Sequence, residues 1–403
     1  MKKKETWSLP RHKRVQKFAR PFMKTFLKQK ENFIPEHFDL PEGACLVLCN
    51  HVSTFDPFML GLCLDIPMYY VLSDDIVSKK FIGPLLDYLI KPIPKTKSVS
   101  DIRCVRSIMK VISENRKVML FPEGNRTYSG ELCHVDKSIA KLCKMAKCPV
   151  AIFNIKGAFG AEPRFGATFR KGEVRPILRK ILTADEVKEM SNEDLYNLLI
   201  QNMTLENRNV LKPIKAKDRA EYLERCLYYC PDCHKFETIY SHDTDIYCLN
   251  CGYQLHYNED LTFTKVKGNT EIKNVAEWYQ LQTEVIEAIV PSEFESEIYS
   301  DYPVKLFNVI KFKKRIALIR KGRLSLTKDS IIVTSGRKTI TIPLSTVSNA
   351  CVLGRNKMNF FVSDYIYQFK GNIRFSALKY VQMFHHIKNV NKGTSGKGEF
   401  LGM

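Results

Sequence analysis

A histidine and an aspartate lie five positions apart in the stretch LVLCNHVSTFDPFMLG, residues 46–61, which is apolar, then polar, then apolar again. The apolar segment before His51 predicts a buried strand, and Asp56-Pro57 predicts a helix with Asp56 as its N-cap. His51 would then lie at the carboxyl end of a strand, where ligands bind in open α/β sheets. An imidazole oriented by a carboxylate can take a proton from a hydroxyl group. For the pair alone, a helix-capping aspartate beside an incidental histidine is the simpler interpretation.

The stretch VMLFPEGNRTYSG, residues 118–130, repeats this design of an apolar strand followed by polar residues. Gly124 permits a ligand to approach the backbone closely. Arg126 offers a planar fork of donors that suits a phosphate, and Glu123 can accept a hydrogen bond from a polyol hydroxyl. A solvated turn is the alternative when this stretch is considered by itself.

Two C-x-x-C pairs, CPDC at 230–233 and CLNC at 248–251, are separated by 14 residues. This spacing predicts a tetrahedral zinc site with four thiolate ligands in a zinc ribbon. The predicted ligands are Cys230, Cys233, Cys248 and Cys251. Because four sulfurs leave no open coordination position, the predicted zinc is structural. A redox-active pair of dithiols is the competing interpretation.

Together, NHVSTFD and FPEGNRT resemble the two signature blocks of the glycerolipid acyltransferases, in their order and in their separation of about 70 residues. This family includes 1-acylglycerol-3-phosphate and glycerol-3-phosphate acyltransferases, and the resemblance covers roughly residues 31–210. It implies that His51 is the general base that deprotonates a glycerol hydroxyl and that Asp56 orients it. It also implies that the glycerol phosphate head is held by Glu123, Gly124 and Arg126.

A weaker block of the family resembles FIGPLLDYLIKPIPKTKS, residues 81–98. The family has a phosphate-binding arginine at the end of this block, and here Lys95 or Lys97 stands in that place. A lysine binds phosphate as a point charge but cannot form the bidentate fork. Both lysines are therefore candidate substrate-binding residues.

The activity implied by the resemblance is transfer of a fatty acyl group from an acyl thioester or acyl phosphate to lysophosphatidate, which forms phosphatidate in phospholipid synthesis. Glycerol 3-phosphate or another lysophospholipid is the alternative acceptor. Acyl-coenzyme A and acyl carrier protein are both candidate donors, and the acidic carrier protein would suit a basic surface.

The segments around these motifs predict an α/β domain with a mixed sheet flanked by helices. Predicted strands lie near 44–50, 67–72, 118–121 and 149–155, and predicted helices near 57–65, 100–115 and 137–147. Thr183-x-x-Glu186 and Ser191-x-x-Asp194 predict two further helix N-termini.

Positive charge is concentrated at the two ends of the chain, whose 403 residues carry a net charge of +20. Residues 1–30 contain 11 basic residues and one acid, and residues 302–403 contain 19 basic residues and three acids. This segregation predicts a polyanionic partner, and both nucleic acid and an anionic membrane surface meet this description. The thirteen cysteines of a chain with no evident secretory signal predict a reducing compartment.

The N-terminal arm predicts an amphipathic helix with Val15, Phe18, Phe22 and Phe26 on one stripe and cations on its other faces. Such a helix suits a lipid interface, although the aromatic stripe could equally pack on the protein itself. Pro21 predicts a break in this helix. No apolar run is long enough to predict a spanning helix, so the protein is expected to bind peripherally at the cytoplasmic face of the cell membrane.

The C-terminal region contains short β-rich runs followed by the helical pattern SALKYVQMFHHIKNV. This order resembles the pleckstrin-homology-like (PH-like) or GRAM-type folds. The predicted division of the chain is a membrane-surface arm at 1–30, an acyltransferase domain at 31–212, a zinc ribbon at 213–260, a helical connector at 261–301, a PH-like domain at 302–390 and a flexible tail at 391–403.

Two other classes of function compete with the enzyme. A scaffold could combine the ribbon and the β domain with a silent acyltransferase fold, but His51, Asp56, Glu123 and Arg126 are all present. A zinc ribbon could also bind nucleic acid. The acidic residues around the cysteines make this unfavourable, because a phosphate-binding face would need lysines there.

Overall fold

The computed structural model describes residues 6–65, 67–77, 82–95, 101–205, 210–294, 296–310, 314–363 and 365–393. These residues belong to two compact units. The N-terminal unit consists of Met1–Pro163 and Phe169–Ile214, and the C-terminal unit consists of Arg164–Thr168 and Lys215–Leu401.

The N-terminal unit is built on a six-stranded sheet with the order β3-β2-β4-β1-β5-β6. Its strands are β1 (Cys45–Cys49), β2 (Met68–Ser73), β3 (Ile93–Lys95), β4 (Lys117–Leu120), β5 (Val150–Lys156) and β6 (Arg175–Leu182). Neighbouring strands are parallel except that β6 pairs antiparallel with β5. The predicted mixed sheet is confirmed, whereas β3 and β6 were not predicted.

Nine helices accompany this sheet in the described part of the unit. They are α1 (Pro10–Glu31), α2 (Asp56–Cys63), α3 (Asp74–Val77), α4 (Ile82–Leu89), α5 (Ile102–Ser113), α6 (Ser138–Ala146), α7 (Ala158–Ala161), α8 (Ala184–Glu189) and α9 (Asn192–Met203). The side chains of Thr183 and Ser191 accept hydrogen bonds from backbone N–H groups three residues later, so both predicted N-caps are confirmed.

Strand β1 lies near the middle of the sheet and is buried along its whole length. Leu46 and Leu48 pack into the apolar core on one face of the sheet, and Cys45, Val47 and Cys49 pack into the core on the other face. A parallel strand covered on both faces needs apolar residues at every position, which explains the continuous run CLVLC.

Helix α1 is continuous through Pro21, so the predicted break is wrong. Other contacts hold the helix on both sides of the proline. Gln16 exchanges two hydrogen bonds with the backbone of Met68, each of 2.9 Å. The Arg20 guanidinium donates to the carbonyl groups of three residues at the end of α2, including Gly61 at 2.9 Å and Leu64 at 3.0 Å.

The aromatic stripe of α1 divides between the protein and the solvent. Phe26 packs against Phe55, with 5.3 Å between the ring centroids. Phe18 and Phe22 contact each other but remain 73% and 65% exposed. In the described ranges, no helix combines the length and the apolarity needed to cross a membrane.

The C-terminal unit begins with an antiparallel four-stranded sheet of order β10-β9-β8-β7. Its strands are β7 (Ile239–His242), β8 (Asp245–Cys248), β9 (Gln254–Tyr257) and β10 (Phe263–Lys267). Strand β10 lies beyond residue 260, in the segment predicted to be a helical connector. Helix α10 (Val275–Ala288) follows it and buries Trp278, Gln282 and Ile286 on one face.

The rest of this unit is an antiparallel seven-stranded sheet of order β14-β13-β12-β11-β17-β16-β15. Its strands are β11 (Tyr299–Ile310), β12 (Lys314–Leu326), β13 (Ser330–Ser335), β14 (Lys338–Pro343), β15 (Asn349–Leu353), β16 (Lys357–Val362) and β17 (Tyr365–Lys370). Helix α11 (Ala377–Asn391) follows the last strand. The predicted C-terminal β-rich region is therefore confirmed.

Candidate active site

Three adjacent parallel strands bring distant parts of the sequence to one edge of the N-terminal sheet. Strand β1 pairs with β4 on one side and with β5 on the other. The carboxyl ends of parallel neighbours meet at the same edge, where crossover loops leave room for a ligand. The loop after β1 carries His51, and the loop after β4 carries Glu123 and Arg126. Glu162 follows the short helix α7, which comes after β5.

The imidazole of His51 contacts the carboxylate of Asp56, with 2.8 Å between Nδ1 and Oδ2. The same oxygen accepts the backbone N–H groups of Val52 at 2.6 Å and Ser53 at 2.9 Å. Asp56 is the first residue of α2 and not its N-cap, which is Phe55. The N-cap prediction is therefore wrong, because the carboxylate turns back to the preceding loop.

The two members of this pair differ in exposure. The side chain of His51 is 20% exposed, whereas that of Asp56 is fully buried. Burial raises the pKa of Asp56, and the hydrogen bond from His51 opposes this effect. The ring of Phe121 stacks on His51, with 4.5 Å between the centroids. The carboxylate and the aromatic ring together hold the imidazole in one orientation at the edge of the site.

The carboxylate of Glu123 connects two loops of the site. Its Oε1 accepts the backbone N–H of His51, and its Oε2 accepts the backbone N–H of Cys133 at 2.7 Å. Burial raises the pKa of Glu123 to about 8, although both hydrogen bonds favour the ionised form. A further backbone bond of 2.9 Å, from Thr127 N–H to the carbonyl of His51, joins the same loops. Glu123 therefore fixes the backbone of His51. Its expected contact with a substrate hydroxyl stays a prediction.

Glu162 is a member of the site that sequence reasoning missed. Its carboxylate pairs with the Arg126 guanidinium at 3.2 Å and also accepts from the hydroxyl groups of Ser53 at 2.7 Å and Thr54 at 2.9 Å. These contacts connect the end of α7 with the loops after β1 and β4. The available signal was the position of Glu162 shortly after the strand predicted near 149–155.

The other predicted binding residues have different positions. Gly124 adopts a left-handed φ of +69°. Apart from its two chain neighbours, no described residue has an atom within 4 Å of the place that a Cβ would occupy. Lys95 ends β3, at the same edge of the sheet but three strands from β1, a separation of about 14 Å at the usual strand spacing. Lys97 lies outside the described residues.

A second missed acid, Glu31, ends helix α1 and is wholly buried. Neither of its carboxylate oxygens has a hydrogen-bond partner among the described residues. Burial raises the pKa of Glu31 to about 9, and the nearby carboxylates of Glu162 and Asp56 act in the same direction. The site therefore concentrates acids around Arg126.

In the C-terminal unit, the structure brings together the four predicted metal ligands. The sulfur atoms of Cys230, Cys233, Cys248 and Cys251 all lie within 4.8 Å of one another. Cys230 is buried and Cys251 is exposed.

Comparison with known proteins finds a family match in the N-terminal part of this chain. Residues 25–156, which include His51 and Arg126, match the family model described as Acyltransferase. A chloroplastic 1-acyl-sn-glycerol-3-phosphate acyltransferase of Brassica napus is 25% identical over 187 residues, which are 46% of this chain and 52% of that protein. The chain thus spans about half the length of this relative.

Two solved structures are similar in part. The 1-acyl-sn-glycerophosphate acyltransferase PlsC from Thermotoga maritima shares 17% identity at a TM-score of 0.40, over 48% of this chain and 79% of that chain. The N-terminal PH domain of human ARAP2 shares 18% identity at a TM-score of 0.21, over 27% of this chain and 93% of that chain. Assignment of the C-terminal sheet to a PH-like fold stays a prediction.

Proposed function

We propose that this protein is an O-acyltransferase that moves a fatty acyl group to the free hydroxyl of lysophosphatidate and forms phosphatidate. The observation that carries the proposal is the contact between His51 Nδ1 and the buried carboxylate of Asp56, inside the segment that matches the acyltransferase family. This contact favours the tautomer in which Nδ1 carries the proton and Nε2 is the basic nitrogen.

In the proposed reaction, His51 Nε2 takes the proton from the acceptor hydroxyl as its oxygen attacks the carbonyl carbon of the acyl thioester. The new ester C–O bond forms and the C–S bond breaks. The proton on His51 then passes to the departing thiolate, so that His51 returns to its neutral form. Asp56 stabilises the imidazolium that exists between these two proton transfers.

Arg126 is proposed to bind the phosphate of the acceptor. A guanidinium carries five N–H donors in a planar fork, so it can contact a phosphate while it keeps its ion pair with Glu162. Glu162 would set the direction of that fork, because Ser53 and Thr54 hold its carboxylate in turn. Gly124 leaves open space beside the loop that carries Arg126. Lys95 and Lys97 are proposed as additional phosphate ligands, more distant from His51.

The proposed acceptor is lysophosphatidate, and the proposed donor is an acyl thioester. Glycerol 3-phosphate and other lysophospholipids present the same pair of groups, a hydroxyl near a phosphate, and are the competing acceptors. Acyl-coenzyme A and acyl carrier protein both present a thioester. The relative from Brassica napus is named for 1-acyl-sn-glycerol-3-phosphate, which favours lysophosphatidate as the acceptor.

The proposed place of action is an anionic membrane surface on the cytoplasmic side, to which the protein binds peripherally. Phe18 and Phe22 project from α1 into solvent, and the helix also carries exposed cations such as Lys17 and Lys24. Aromatic rings that enter the interface and cations near the phosphates suit such a surface. A lysophospholipid acceptor would be concentrated there.

The test is an assay of the purified protein with lysophosphatidate, glycerol 3-phosphate and another lysophospholipid, each offered with acyl-coenzyme A and with acyl carrier protein thioester. Mass spectrometry of the lipids identifies the product. We expect phosphatidate from lysophosphatidate, and we expect His51→Ala to lower kcat by about 10²–10⁴-fold, the range for loss of a general base.

The matched control is His37→Ala, because His37 is an exposed histidine of the same unit that also contacts an aspartate, at 3.2 Å. It should keep full activity, and both variants should keep the melting temperature of the wild type. Full activity of a folded His51→Ala variant would overturn the proposal, as would the absence of acyl transfer to every acceptor.

A further inference from the structure

The four cysteines of the C-terminal unit form two knuckles, defined as residues 230–233 and residues 248–251. The sulfurs of Cys230 and Cys251 are 3.8 Å apart, and those of Cys233 and Cys248 are 3.7 Å apart. A disulfide bond would place two sulfurs at about 2.05 Å. In a tetrahedron with metal–sulfur bonds of about 2.3 Å, two ligand sulfurs lie about 3.8 Å apart, which agrees with the observed separations.

The two knuckles repeat the same backbone bonds. In the first knuckle, the N–H of His234 donates to the carbonyl of Cys230 at 3.0 Å, and the N–H of Cys230 donates to the carbonyl of Lys235 at 2.9 Å. The second knuckle forms both bonds at the equivalent positions around Cys248, at 2.9 and 2.8 Å. The residue after each knuckle has a left-handed φ, +59° at His234 and +76° at Gly252. Two turns that are distant in the sequence thus share one conformation, and both direct their sulfurs to a common centre.

Backbone N–H groups also hold the sulfurs. Those of Asp232 and Cys233 hydrogen bond to the sulfur of Cys230. The equivalent N–H groups of the second knuckle, from Asn250 and Cys251, hydrogen bond to the sulfur of Cys248. Each knuckle therefore directs two backbone N–H donors at the sulfur of its first cysteine.

We propose that Cys230, Cys233, Cys248 and Cys251 bind one Zn²⁺ ion at a structural site of the C-terminal unit. Four thiolates in tetrahedral positions suit zinc, and they leave no coordination position for a substrate or a water molecule. The four cysteines belong to the C-terminal unit, whereas the residues of the proposed acyl transfer belong to the N-terminal unit.

The contacts next to the first knuckle indicate what the ion would stabilise. Trp278 Nε1 of helix α10 donates to the carbonyl of Tyr229 at 2.8 Å. Gln282 Oε1 of the same helix accepts the backbone N–H groups of Tyr228 at 2.7 Å and Tyr229 at 3.1 Å. The segment that enters the first knuckle is therefore also the segment that positions α10. Loss of the ion should loosen the ribbon and this helix together.

The first experiment measures metals by inductively coupled plasma mass spectrometry in the full-length protein, purified without an affinity tag that binds metal. We expect about one zinc per chain. Cys233→Ser and Cys248→Ser, one variant in each knuckle, should lose most of this zinc. Cys133→Ser should keep it, since Cys133 is a half-buried cysteine outside the knuckles.

The second experiment uses the wild-type protein and does not depend on the folding of any variant. After removal of the metal with a chelator, Co²⁺ is added as a spectroscopic probe. Visible absorption typical of tetrahedral cobalt thiolate, lost again on addition of Zn²⁺, is the expected result. Disulfide bonds within the knuckles of freshly prepared protein, iron in place of zinc, or a metal-free protein with four reduced thiols would each overturn the proposal.

The third measurement separates a structural site from a catalytic one. Removal of the ion should lower the melting temperature of the C-terminal unit, and re-addition of Zn²⁺ should restore it. The measurement uses tryptophan fluorescence in a Trp7→Phe background, in which Trp278 is the remaining tryptophan. A melting temperature unchanged by chelator in protein that contains zinc would contradict the structural role.

Discussion

The candidate active site and the cysteine knuckles are assembled in opposite ways. Each knuckle is complete within four residues, and its hydrogen bonds close within five residues along the chain. The active site takes His51, Glu123, Arg126 and Glu162 from three loops that meet only because β4, β1 and β5 are neighbours. Local spacing therefore predicts a knuckle well, whereas a site made of three loops depends on strand order.

The active site itself contains one local element and several distant ones. The His51–Asp56 contact joins residues five positions apart. The bond from the His51 backbone to Glu123 spans 72 positions, and the ion pair between Arg126 and Glu162 spans 36. If the local pair dominates the chemistry, a substitution in that pair should lower activity more than a substitution of any distant partner.

The largest effect is expected for Asp56→Asn. The variant keeps an oxygen for the N–H groups of Val52 and Ser53, but the amide no longer favours the correct tautomer or stabilises the imidazolium. We expect kcat to fall by about 10³-fold with the KM of the acceptor little changed. Asp39→Asn is the control, because Asp39 contacts His37 at 3.2 Å but is fully open to solvent. Equal kcat values for the two variants would show that the buried carboxylate of Asp56 does not contribute to catalysis.

Glu31→Gln should change stability more than activity. The pKa of Glu31 is raised from 4.5 to about 9, so the folded protein keeps a proton that the unfolded chain releases. The free energy of unfolding of the wild type should therefore fall as the pH rises from 4.5 toward 9. The amide removes this dependence and should raise the free energy of unfolding by about 3 kcal/mol at pH 7. Urea denaturation at pH 5, 7 and 9 measures the free energy of unfolding of both proteins. The same dependence of this free energy on pH in the wild type and the variant would contradict the prediction.

Glu162→Gln tests the distant partner of the site. The amide keeps one acceptor for Ser53 and Thr54 but loses the charge that orients Arg126. We expect the KM of a phosphate-bearing acceptor to rise about tenfold, with a smaller fall in kcat. Glu193→Gln removes an exposed ion pair with Lys137 and should leave both parameters unchanged. A loss of kcat as large as that of Asp56→Asn would mean that the distant contacts matter as much as the local pair.

The smallest effect is expected for the replacement of both Phe18 and Phe22 by serine. The two rings are exposed and contact mainly each other, so the fold should be unaffected. Binding to vesicles that contain anionic phospholipid should weaken several-fold, and binding to neutral vesicles should remain low in both proteins. Ile373→Ser, at a side chain 54% exposed in the C-terminal unit, is the control for general loss of apolar surface. Unchanged sedimentation with anionic vesicles would exclude α1 as the contact.

Two features of the fold differ from the local preference of the sequence because a distant contact outweighed that preference. Pro21 favours a break in α1, but the helix is continuous. Gln16 and Arg20 hold it to the rest of the unit by hydrogen bonds. Asp56 has the preference of an N-cap, but two loop N–H groups and an imidazole take its carboxylate instead. An N-cap preference is worth about 1 kcal/mol and a proline inside a helix costs about 3 kcal/mol, so a few buried hydrogen bonds reverse either preference.

The sequence by itself determined the strand before His51, the spacing of the His51–Asp56 pair, the two cysteine knuckles and the β-rich end of the chain, because these features depend on neighbours within a few residues. Only the tertiary structure decided that Glu123 holds the backbone of His51, that Glu162 pairs with Arg126 and that Glu31 is buried beside them. The reason is that the order of strands in a sheet, set by the packing of the whole core, decides which loops meet, and no local pattern encodes that order.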